Sequence, residues 1–312
     1  MFDDRLRFDL SVAPGGYAWW YIDALSPDGD AGLTIIAFIG SVFSPYYAWS
    51  GRSSPANHCA LNVALYAKRG SRWAMTERSR RRVEIAPHRL AIGASALSWS
   101  DCELTIAIHE VAAPLPFPVR GVVKLRPQAL TAKTFAIDAD GKHRWRPLSP
   151  RAAIEVAFEN PSLEWQGEGY FDSNDGDEPL EDAFQTWNWA RLYSPAHDPV
   201  ILYDTAPRSG PLRRIAIEIG DNGAIVDRPS PELHRAAPAP IFRMERLIGA
   251  ERGAAPVIVR TLEDAPFYSR SIVETKIDGV TRHGFHESLS GDRLRSPLVR
   301  AMLPFRMPRH NF

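Results

Sequence analysis

Apolar residues occur along this 312-residue chain in short runs separated by turn residues, and this pattern predicts β-strands. The run 33–43 is almost wholly apolar, which indicates a strand buried on both faces. Runs recur about every 8–12 residues, a spacing typical of β-sandwiches and barrels and not of alternating βαβ units. In the first part of the chain they are 15–23, 33–43, 59–67, 73–78, 83–85, 89–93, 97–100, 103–109, 119–125, 133–137, 154–159, 163–171 and 186–191.

A second series of runs follows the turn-rich segment 194–199, which is the best candidate for a domain boundary. These runs are 200–204, 213–219, 224–228, 241–248, 256–262, 267–277 and 280–287. The pattern therefore predicts an all-β protein with an N-terminal domain over 1–195, a sandwich or open barrel, and a small β-barrel over 196–312. The aromatic segment 44–51 is expected to be a loop without a helix, and 229–240 a proline-rich connector.

Composition narrows the class of protein. Hydrophobic residues make up 45% of the chain, and 37 basic residues balance 37 acidic ones, so no global charge favours nucleic acid as a partner. The two cysteines, Cys59 and Cys102, make a disulfide framework or a zinc site improbable, and we expect no metal. The opening residues Met1–Arg5 lack the features of an export signal, so a cytoplasmic location is expected.

Two short residue pairs are the candidates for chemistry. His143 and Trp145 form one pair and Tyr170 and Asp172 the other, and residues spaced by two project from the same face of a strand. If both segments line one site, an imidazole, an indole, a phenol and a carboxyl meet there. Burial among aromatic rings would raise the pKa of the carboxyl and make it an acid near neutral pH. Glycines 167 and 169, on the opposite face, are expected to permit a bulge or a close backbone approach.

Each candidate also has a purely structural interpretation. Tyr170 and Asp172 fit a half-buried strand end, and His143 fits the polar arm of a hairpin. Trp145, like Trp187 and Trp189, fits a core position. The dipeptides 57–58 (Asn-His) and 286–287 (His-Glu) are further candidates for an acid or base. The acidic loop 175–182 lacks the ligand order of an EF-hand and is expected to be solvated, and no Gly-x-Ser-x-Gly motif supports a hydrolase.

The tail from Arg293 to Phe312 carries five arginines and no acid, mixed with apolar residues. It fits either a surface that contacts anionic lipid or a basic closing helix packed on its own domain.

Seven segments together resemble the acyclic carotenoid 1,2-hydratases, also called hydroxyneurosporene synthases, of photosynthetic bacteria. They are Gly16-Tyr17-Ala18-Trp19-Trp20-Tyr21, Phe43-Ser44-Pro45-Tyr46-Tyr47, Pro55-Ala56-Asn57-His58-Cys59-Ala60-Leu61-Asn62, Gly169-Tyr170-Phe171-Asp172-Ser173-Asn174, Trp187-Asn188-Trp189-Ala190-Arg191, His286-Glu287-Ser288-Leu289-Ser290 and Met302-Leu303-Pro304-Phe305-Arg306-Met307-Pro308-Arg309. The resemblance runs nearly from end to end of the chain.

The resemblance implies two lipocalin-like domains and addition of water, without a cofactor, to the terminal double bond of neurosporene or lycopene. It also implies that His143, Trp145, Tyr170 and Asp172 matter, with Asp172 as proton donor. We hypothesise that His143 binds the second oxygen of Asp172 and returns the proton, or orients the water. The expected setting is the cytoplasmic side of the photosynthetic inner membrane, with peripheral contact.

Two other functions stay open at this point. One is a lipocalin-like protein that binds carotenoid or lipid without catalysis, since a fold does not determine a function. The other is a cyclase or isomerase that uses the same acid and excludes water.

Overall fold

The computed structural model describes residues 6–67 and 71–310. Residues 1–5, on which the expectation about an export signal depends, and the tail residues Asn311 and Phe312 lie outside this part. Among the described residues, no helix has both the length and the apolar character that crossing a bilayer requires.

The prediction of an all-β fold is confirmed, because strands dominate the chain. They are β1 Tyr17–Leu25, β2 Gly32–Ile39, β3 Cys59–Tyr66, β4 Arg72–Arg78, β5 Val83–Ala86, β6 Arg89–Ile92, β7 Ser95–Ser100, β8 Glu103–Val111, β9 Pro118–Pro127, β10 Phe135–Ala136, β11 His143–Asn160, β12 Leu163–Gly176, β13 Phe184–Ser194, β14 His197–Pro207, β15 Arg213–Ile219, β16 Ile225–Asp227, β17 Glu232–Arg235, β18 Leu247–Ala250, β19 Val257–Asp264, β20 Tyr268–Ile277, β21 Val280–Ser290 and β22 Arg309–His310.

The helices are short. They are α1 Pro45–Trp49, α2 Leu180–Ala183, α3 Gly291–Arg295 and α4 Pro297–Met302, with 3-10 turns at Pro55–Asn57, Arg80–Arg82 and Leu303–Phe305. The expectation of a loop without a helix at 44–51 was wrong. Ser44 caps α1 by accepting a hydrogen bond from the Tyr47 amide, and Pro45 occupies the first helical position, where its missing N–H costs nothing.

The chain forms two compact units whose bounds differ from the predicted 1–195 and 196–312. The first unit comprises residues 1–135, 143–179 and 301–312, and the second comprises 136–142 and 180–300. The predicted boundary falls between β13 and β14, which pair as antiparallel neighbours inside the second unit. A hairpin turn between paired strands and a linker between domains carry the same turn residues, so local sequence did not distinguish them.

One long sheet builds the first unit. Its strand order is β22-β4-β3-β2-β1-β12-β11-β9-β8-β7-β6-β5. The sheet curls, because residues from both of its halves, such as Ile22 and Ile35 on one side and Leu97 and Ile106 on the other, share one hydrophobic core. That core lies on one face only.

The opposite face of β1 and β2 is buried as well. Trp20 and Ile22 point into the core, whereas Trp19, Tyr21 and Asp23 project from the other face and are equally hidden from solvent. The run 33–43 was predicted to form a strand buried on both faces, and this is confirmed for β2, in which every residue is buried. Both faces of β1 and β2 are therefore buried. One face is hydrophobic, and the other carries the polar and aromatic residues of the candidate site.

Strand β11 is longer than predicted, because it begins at His143 and not near residue 154. Its register against β12 shifts between Arg146 and Ser149 and again before Ala152, where prolines 147 and 150 cannot donate to the ladder. The irregularity therefore lies in β11 and not at the glycines of β12. Gly169 instead permits a close approach, since a Cβ there would lie 3.2 Å from Ile154.

The C-terminal segment returns to the first unit and completes its sheet. Strand β22 pairs in parallel with β4, and Arg309 forms an ion pair with the buried Glu77. The His58 imidazole bonds to the same carboxylate through Nδ1 at 2.9 Å. Burial, followed by the charge of Arg309, lowers the pKa of His58 to about 4, so this ring is neutral at neutral pH.

The tail is not the single closing helix that the sequence suggested as one alternative. It consists of two short helices, a 3-10 turn and a strand, and its apolar residues divide between the interior and the surface. Leu294, Leu303 and Met307 are buried, whereas Leu298, Met302 and Phe305 are exposed.

The second unit contains an antiparallel sheet in the order β16-β15-β14-β13-β21-β20-β19 and the separate hairpin β17-β18. The hairpin corrects two expectations, because β17 forms within the predicted connector 229–240 and regular pairing begins only at Leu247 within the predicted strand 241–248. The hydrophobic core of the second unit includes Leu192, Leu202, Ile248 and Val273.

His286 in the second unit makes folding stability depend on pH. Burial lowers the pKa of its imidazole to about 4, whereas an unfolded histidine titrates at about 6.5. As pH falls from about 6.5 towards 4, His286 is protonated in the unfolded chain but stays neutral in the folded chain, so the free energy of unfolding falls. We expect His286→Gln, which keeps a donor for the Leu247 carbonyl, to weaken this pH dependence.

Urea unfolding at pH 7 and pH 5 measures the effect. The matched control is His283→Gln, because the His283 side chain is half-exposed. This variant should retain the wild-type difference in the free energy of unfolding between pH 7 and pH 5. An equal difference in wild type and His286→Gln would contradict the assignment.

Candidate active site

The two predicted residue pairs lie on neighbouring strands of the first unit. On β12, Tyr170 is opposite Asp23 of β1 and Asp172 is opposite Tyr21. On the other side, β11 places Trp145 opposite Asn174 of β12. Opposite residues of antiparallel strands share a face, so all of these side chains project away from the hydrophobic core.

Two donors converge on one oxygen of Asp172. The Tyr170 hydroxyl donates to Oδ2 at 2.8 Å, and the Trp145 indole Nε1 donates to the same atom at 2.9 Å. Asp172 is only 4% exposed, and Tyr170 and Trp145 are fully buried. A buried carboxyl is therefore held in one orientation by a phenol and an indole, as the pairing of their strands requires.

Tyr170 donates a hydrogen bond to Asp172 and also has a hydrogen bond from the Trp145 indole. Its burial, followed by the nearby charge of Asp172 and the hydrogen bond to it, raises the pKa of the phenol well above the ordinary value for tyrosine. The phenol therefore stays neutral at physiological pH, and its proton points at Asp172.

His143 lies in the same region but has a different partner from the one expected. Its Nδ1 is 2.8 Å from the Tyr17 hydroxyl, and its Nε2 is 3.7 Å from the Glu178 carboxylate. His143 is opposite Gly176 on β12, four residues along that strand from Asp172. The hydrogen bond that orients this imidazole therefore comes from β1 and not from the Asp172 carboxyl.

Gly176 makes room for the bond between Tyr17 and His143. A Cβ at this position would lie 2.5 Å from the Tyr17 ring and 2.7 Å from His143 Nδ1, closer than atoms can pack. Tyr17 in turn stacks on Trp19, with ring centroids 4.8 Å apart. Neither Tyr17 nor Gly176 was among the residues predicted to form the site, although the alternation of Tyr17, Trp19 and Tyr21 along one strand was a usable signal.

Asp23 is a second buried carboxyl, and it was not among the residues predicted from sequence. It is fully buried and opposite Tyr170, and its charge contributes to the raised pKa of that phenol. Tyr170 therefore lies beside two carboxyl groups, one from its own strand and one from β1. Tyr21 meets the Tyr170 ring edge to face, with centroids 6.2 Å apart.

The surroundings of these polar groups are aromatic. Phe135 lies 5.2 Å from Trp145, and Phe38 lies 6.0 Å from Trp19, measured between ring centroids. The arrangement suits an apolar ligand with a reactive group near a carboxyl, because the rings can contact hydrocarbon and face a positive charge.

The start of the acidic loop 175–182 is engaged by arginines. Asp175 bonds to Arg144 and Arg146, and Asp177 bonds to Arg144. Within the described ranges, no group of three His, Cys, Asp or Glu side chains is arranged to hold a metal ion. The loop thus begins as an ion-pair cluster, where the sequence analysis expected solvated acids.

His58 and His286 have structural partners. His58 lies between Glu77 and the Ser50 hydroxyl, and His286 bonds through Nε2 to the Leu247 carbonyl at 3.0 Å. Glu287 forms an ion pair with the buried Arg270.

The chain resembles known proteins both in sequence and in structure. A family model described as carotenoid hydratase CrtC matches residues 35–312. The chain is 51% identical to the acyclic carotenoid 1,2-hydratase of Thiocapsa roseopersicina, with 97% of this chain and 75% of that protein aligned. It is 42% identical to the acyclic carotenoid 1,2-hydratase of Rubrivivax gelatinosus, with 97% and 76% aligned.

Two solved structures share the fold at low sequence identity. An AttH-type protein from Nitrosomonas europaea aligns with a TM-score of 0.62 at 13% identity, covering 88% of this chain and 92% of that one. The crystal structure of CghA with Sch210972 aligns with a TM-score of 0.52 at 12% identity, covering 93% and 97%. The likeness to the AttH-type protein confirms the all-β, lipocalin-like fold class.

The requirement for glycine at position 176 can be tested by substitution. We expect Gly176→Ala to break the bond between Tyr17 and His143 and to destabilise the first unit by about 1–3 kcal/mol, the usual cost of overpacking. Thermal unfolding monitored by tryptophan fluorescence checks this. Gly220→Ala, where a Cβ meets no atom closer than 3.3 Å, is the control. Equal stability of Gly176→Ala and wild type would show that the site is looser than described.

Proposed function

The chain belongs to the carotenoid hydratase family, and from this premise we propose that it adds water to the C1–C2 double bond of an acyclic carotenoid. The observation that carries the proposal is the buried Asp172 carboxyl, oriented by Tyr170 and Trp145 on an aromatic face of the sheet. The product is the tertiary 1-hydroxy carotenoid, and no cofactor takes part.

The reaction needs a strong acid at a fixed position. The alkene π electrons form a C–H bond to C2 with the proton of the Asp172 carboxyl, which leaves a tertiary cation at C1 and a carboxylate on the enzyme. The oxygen of a water molecule then bonds to C1, and the proton that it loses restores the acid. Positioned general acids typically contribute about 10²–10⁴-fold to a rate.

The two donors on Asp172 decide which oxygen carries the proton. Tyr170 and Trp145 both bond to Oδ2, so this atom acts as the acceptor oxygen of the acid and Oδ1 carries the proton that is transferred. The same donors stabilise the carboxylate once the proton has left, so they lower the barrier to transfer.

Asp23 helps to keep the acid protonated. Two buried carboxyl groups beside one phenol cannot both ionise without strong repulsion, so a charge on Asp23 favours the neutral form of Asp172. Hydrophobic burial acts in the same direction because it disfavours charge.

The aromatic rings contact the cation. Trp145 and Tyr170 lie at the acid, and Tyr21 packs against Tyr170, so aromatic rings surround the position at which the charge is proposed to develop. Each such contact contributes about 0.5–2 kcal/mol without forming a covalent adduct. Tyr17 and His143, which are joined by a hydrogen bond, are the groups assigned to hold the attacking water and to pass its proton on, so that the Asp172 carboxylate is protonated again at the end of the turnover.

The substrate class follows from the family and from the apolar surroundings of the acid. We assign neurosporene or lycopene as substrate, in the biosynthesis of 1-hydroxy carotenoids in a photosynthetic bacterium. Because such hydrocarbons dissolve in membranes, the proposed setting is the cytoplasmic surface of the photosynthetic inner membrane, with peripheral contact.

The first experiment compares wild type with Asp172→Asn on lycopene and on neurosporene in detergent, without cofactors. Mass spectrometry should detect the gain of one water with wild type, and Asp172→Asn should lose at least about 10²-fold, because the amide has no acidic proton. Asp177→Asn, at an exposed carboxyl nearby, is the control and should stay active.

Equal activity in Asp172→Asn and wild type would exclude Asp172 as the acid. Carotenoid that binds without gaining water, in wild type as well, would instead indicate a non-catalytic carotenoid-binding protein on the same scaffold.

The role of Asp23 predicts a change in the pH profile. We expect Asp23→Asn to lose activity at lower pH than wild type on the alkaline side, because Asp172 ionises more readily without the neighbouring charge. The pH dependence of kcat measures this. A reduced rate with an unchanged profile would show that Asp23 only supports the structure around Tyr170.

A further inference from the structure

The hairpin loop between β8 and β9 exposes apolar side chains at its tip. Leu115 is 63% exposed, Phe117 is 48% exposed and Val111, at the base, is 49% exposed. The loop sequence from 111 to 118 reads Val-Ala-Ala-Pro-Leu-Pro-Phe-Pro and contains no charge. Its three prolines restrict the backbone, so the apolar tip is presented with little conformational entropy to lose on binding.

This loop is part of a larger surface that includes the start of β4 and the C-terminal segment. The Ala113 amide donates to the Trp73 carbonyl at 3.0 Å, and the Arg72 guanidinium lies 4.7 Å from the Phe117 ring. On the other side, the Arg306 guanidinium lies 4.2 Å from the Trp73 ring. Phe305, the residue before it, is 81% exposed.

The exposed charge on this surface is positive, although one of its arginines, Arg309, is paired with the buried Glu77. The three contributing segments, 71–76, 111–120 and 301–310, carry four arginines and no aspartate or glutamate. Exposed Leu and Phe side chains flanked by arginines match the boundary of an anionic bilayer, where the apolar groups enter the acyl region and the guanidinium groups meet phosphates.

We propose that this surface, which we call the apolar rim (Leu115, Phe117 and Phe305 with Arg72 and Arg306), docks the first unit on an anionic lipid bilayer. The inference rests on the proposed function, because a membrane-dissolved polyene has to reach a protein from the bilayer. It places the contact on the β8–β9 loop together with Phe305, the most exposed apolar residue of the tail, whereas Leu303 and Met307 are buried and cannot insert.

Vesicle co-sedimentation tests the apolar rim. Wild type is mixed with vesicles of equal parts phosphatidylcholine and phosphatidylglycerol, and with vesicles of phosphatidylcholine alone. We expect clear preference for the anionic vesicles, and we expect the double variant Leu115→Glu/Phe117→Glu to bind them at least about tenfold more weakly. The matched control is Leu212→Glu/Ile241→Glu in the second unit, whose side chains are 59% and 73% exposed.

A second variant separates charge from apolar insertion. Arg72→Gln/Arg306→Gln should reduce the preference for phosphatidylglycerol while leaving the weaker binding to phosphatidylcholine intact. Wild-type binding by the Leu115→Glu/Phe117→Glu variant, or an equal loss in the control, would overturn the proposal. So would the absence of vesicle binding by wild type.

The activity assay distinguishes failure of docking from failure of the proposed function. Leu115→Glu/Phe117→Glu should hydrate carotenoid in detergent at the wild-type rate and lose activity only on carotenoid dissolved in vesicles. Vesicle binding by a wild-type protein that hydrates nothing in detergent would support the apolar rim and contradict the hydratase assignment.

Discussion

The pairing of β1 with β12 is the constraint on which the rest of the site depends. It sets Asp23 opposite Tyr170 and Tyr21 opposite Asp172, and it does so with a hydrophobic core on the other face of the same strands. A slip of one residue would turn Phe171 towards the polar face and Asp172 into the core. Because a carboxyl without partners is costly in such a core, the core itself selects the register that assembles the site.

Alternation along single strands was enough to predict which candidates share a face. Tyr170 and Asp172 were recognisable as one pair, and His143 and Trp145 as another, because spacing by two is a local property. What spacing does not determine is which strand lies beside which. Asp23 and Tyr17 reach the site from a strand about 150 residues away along the chain, so their roles emerged only from the long-range pairing.

The fold shows the same division between local and long-range information. Strand content and the burial of β2 followed from local pattern, whereas the division into units did not. The segment 194–199 has the composition of a linker but forms a tight turn between paired strands, and the tail 301–312 belongs with the first unit. The sequence predicted only the run 154–159 of β11, and the structure extends this strand back to His143 through register shifts around Pro147 and Pro150.

The return of the C-terminal segment to β4 has a consequence for biosynthesis. Glu77 and His58 are made early by the ribosome, but Arg309, which pairs with Glu77, emerges only after the whole second unit has been translated. Until Arg309 is present, burial of the Glu77 carboxylate is unfavourable, because its charge would lose water without gaining a cation. The first unit is thus completed only after the second unit has been translated, although most of its strands precede that unit in the chain.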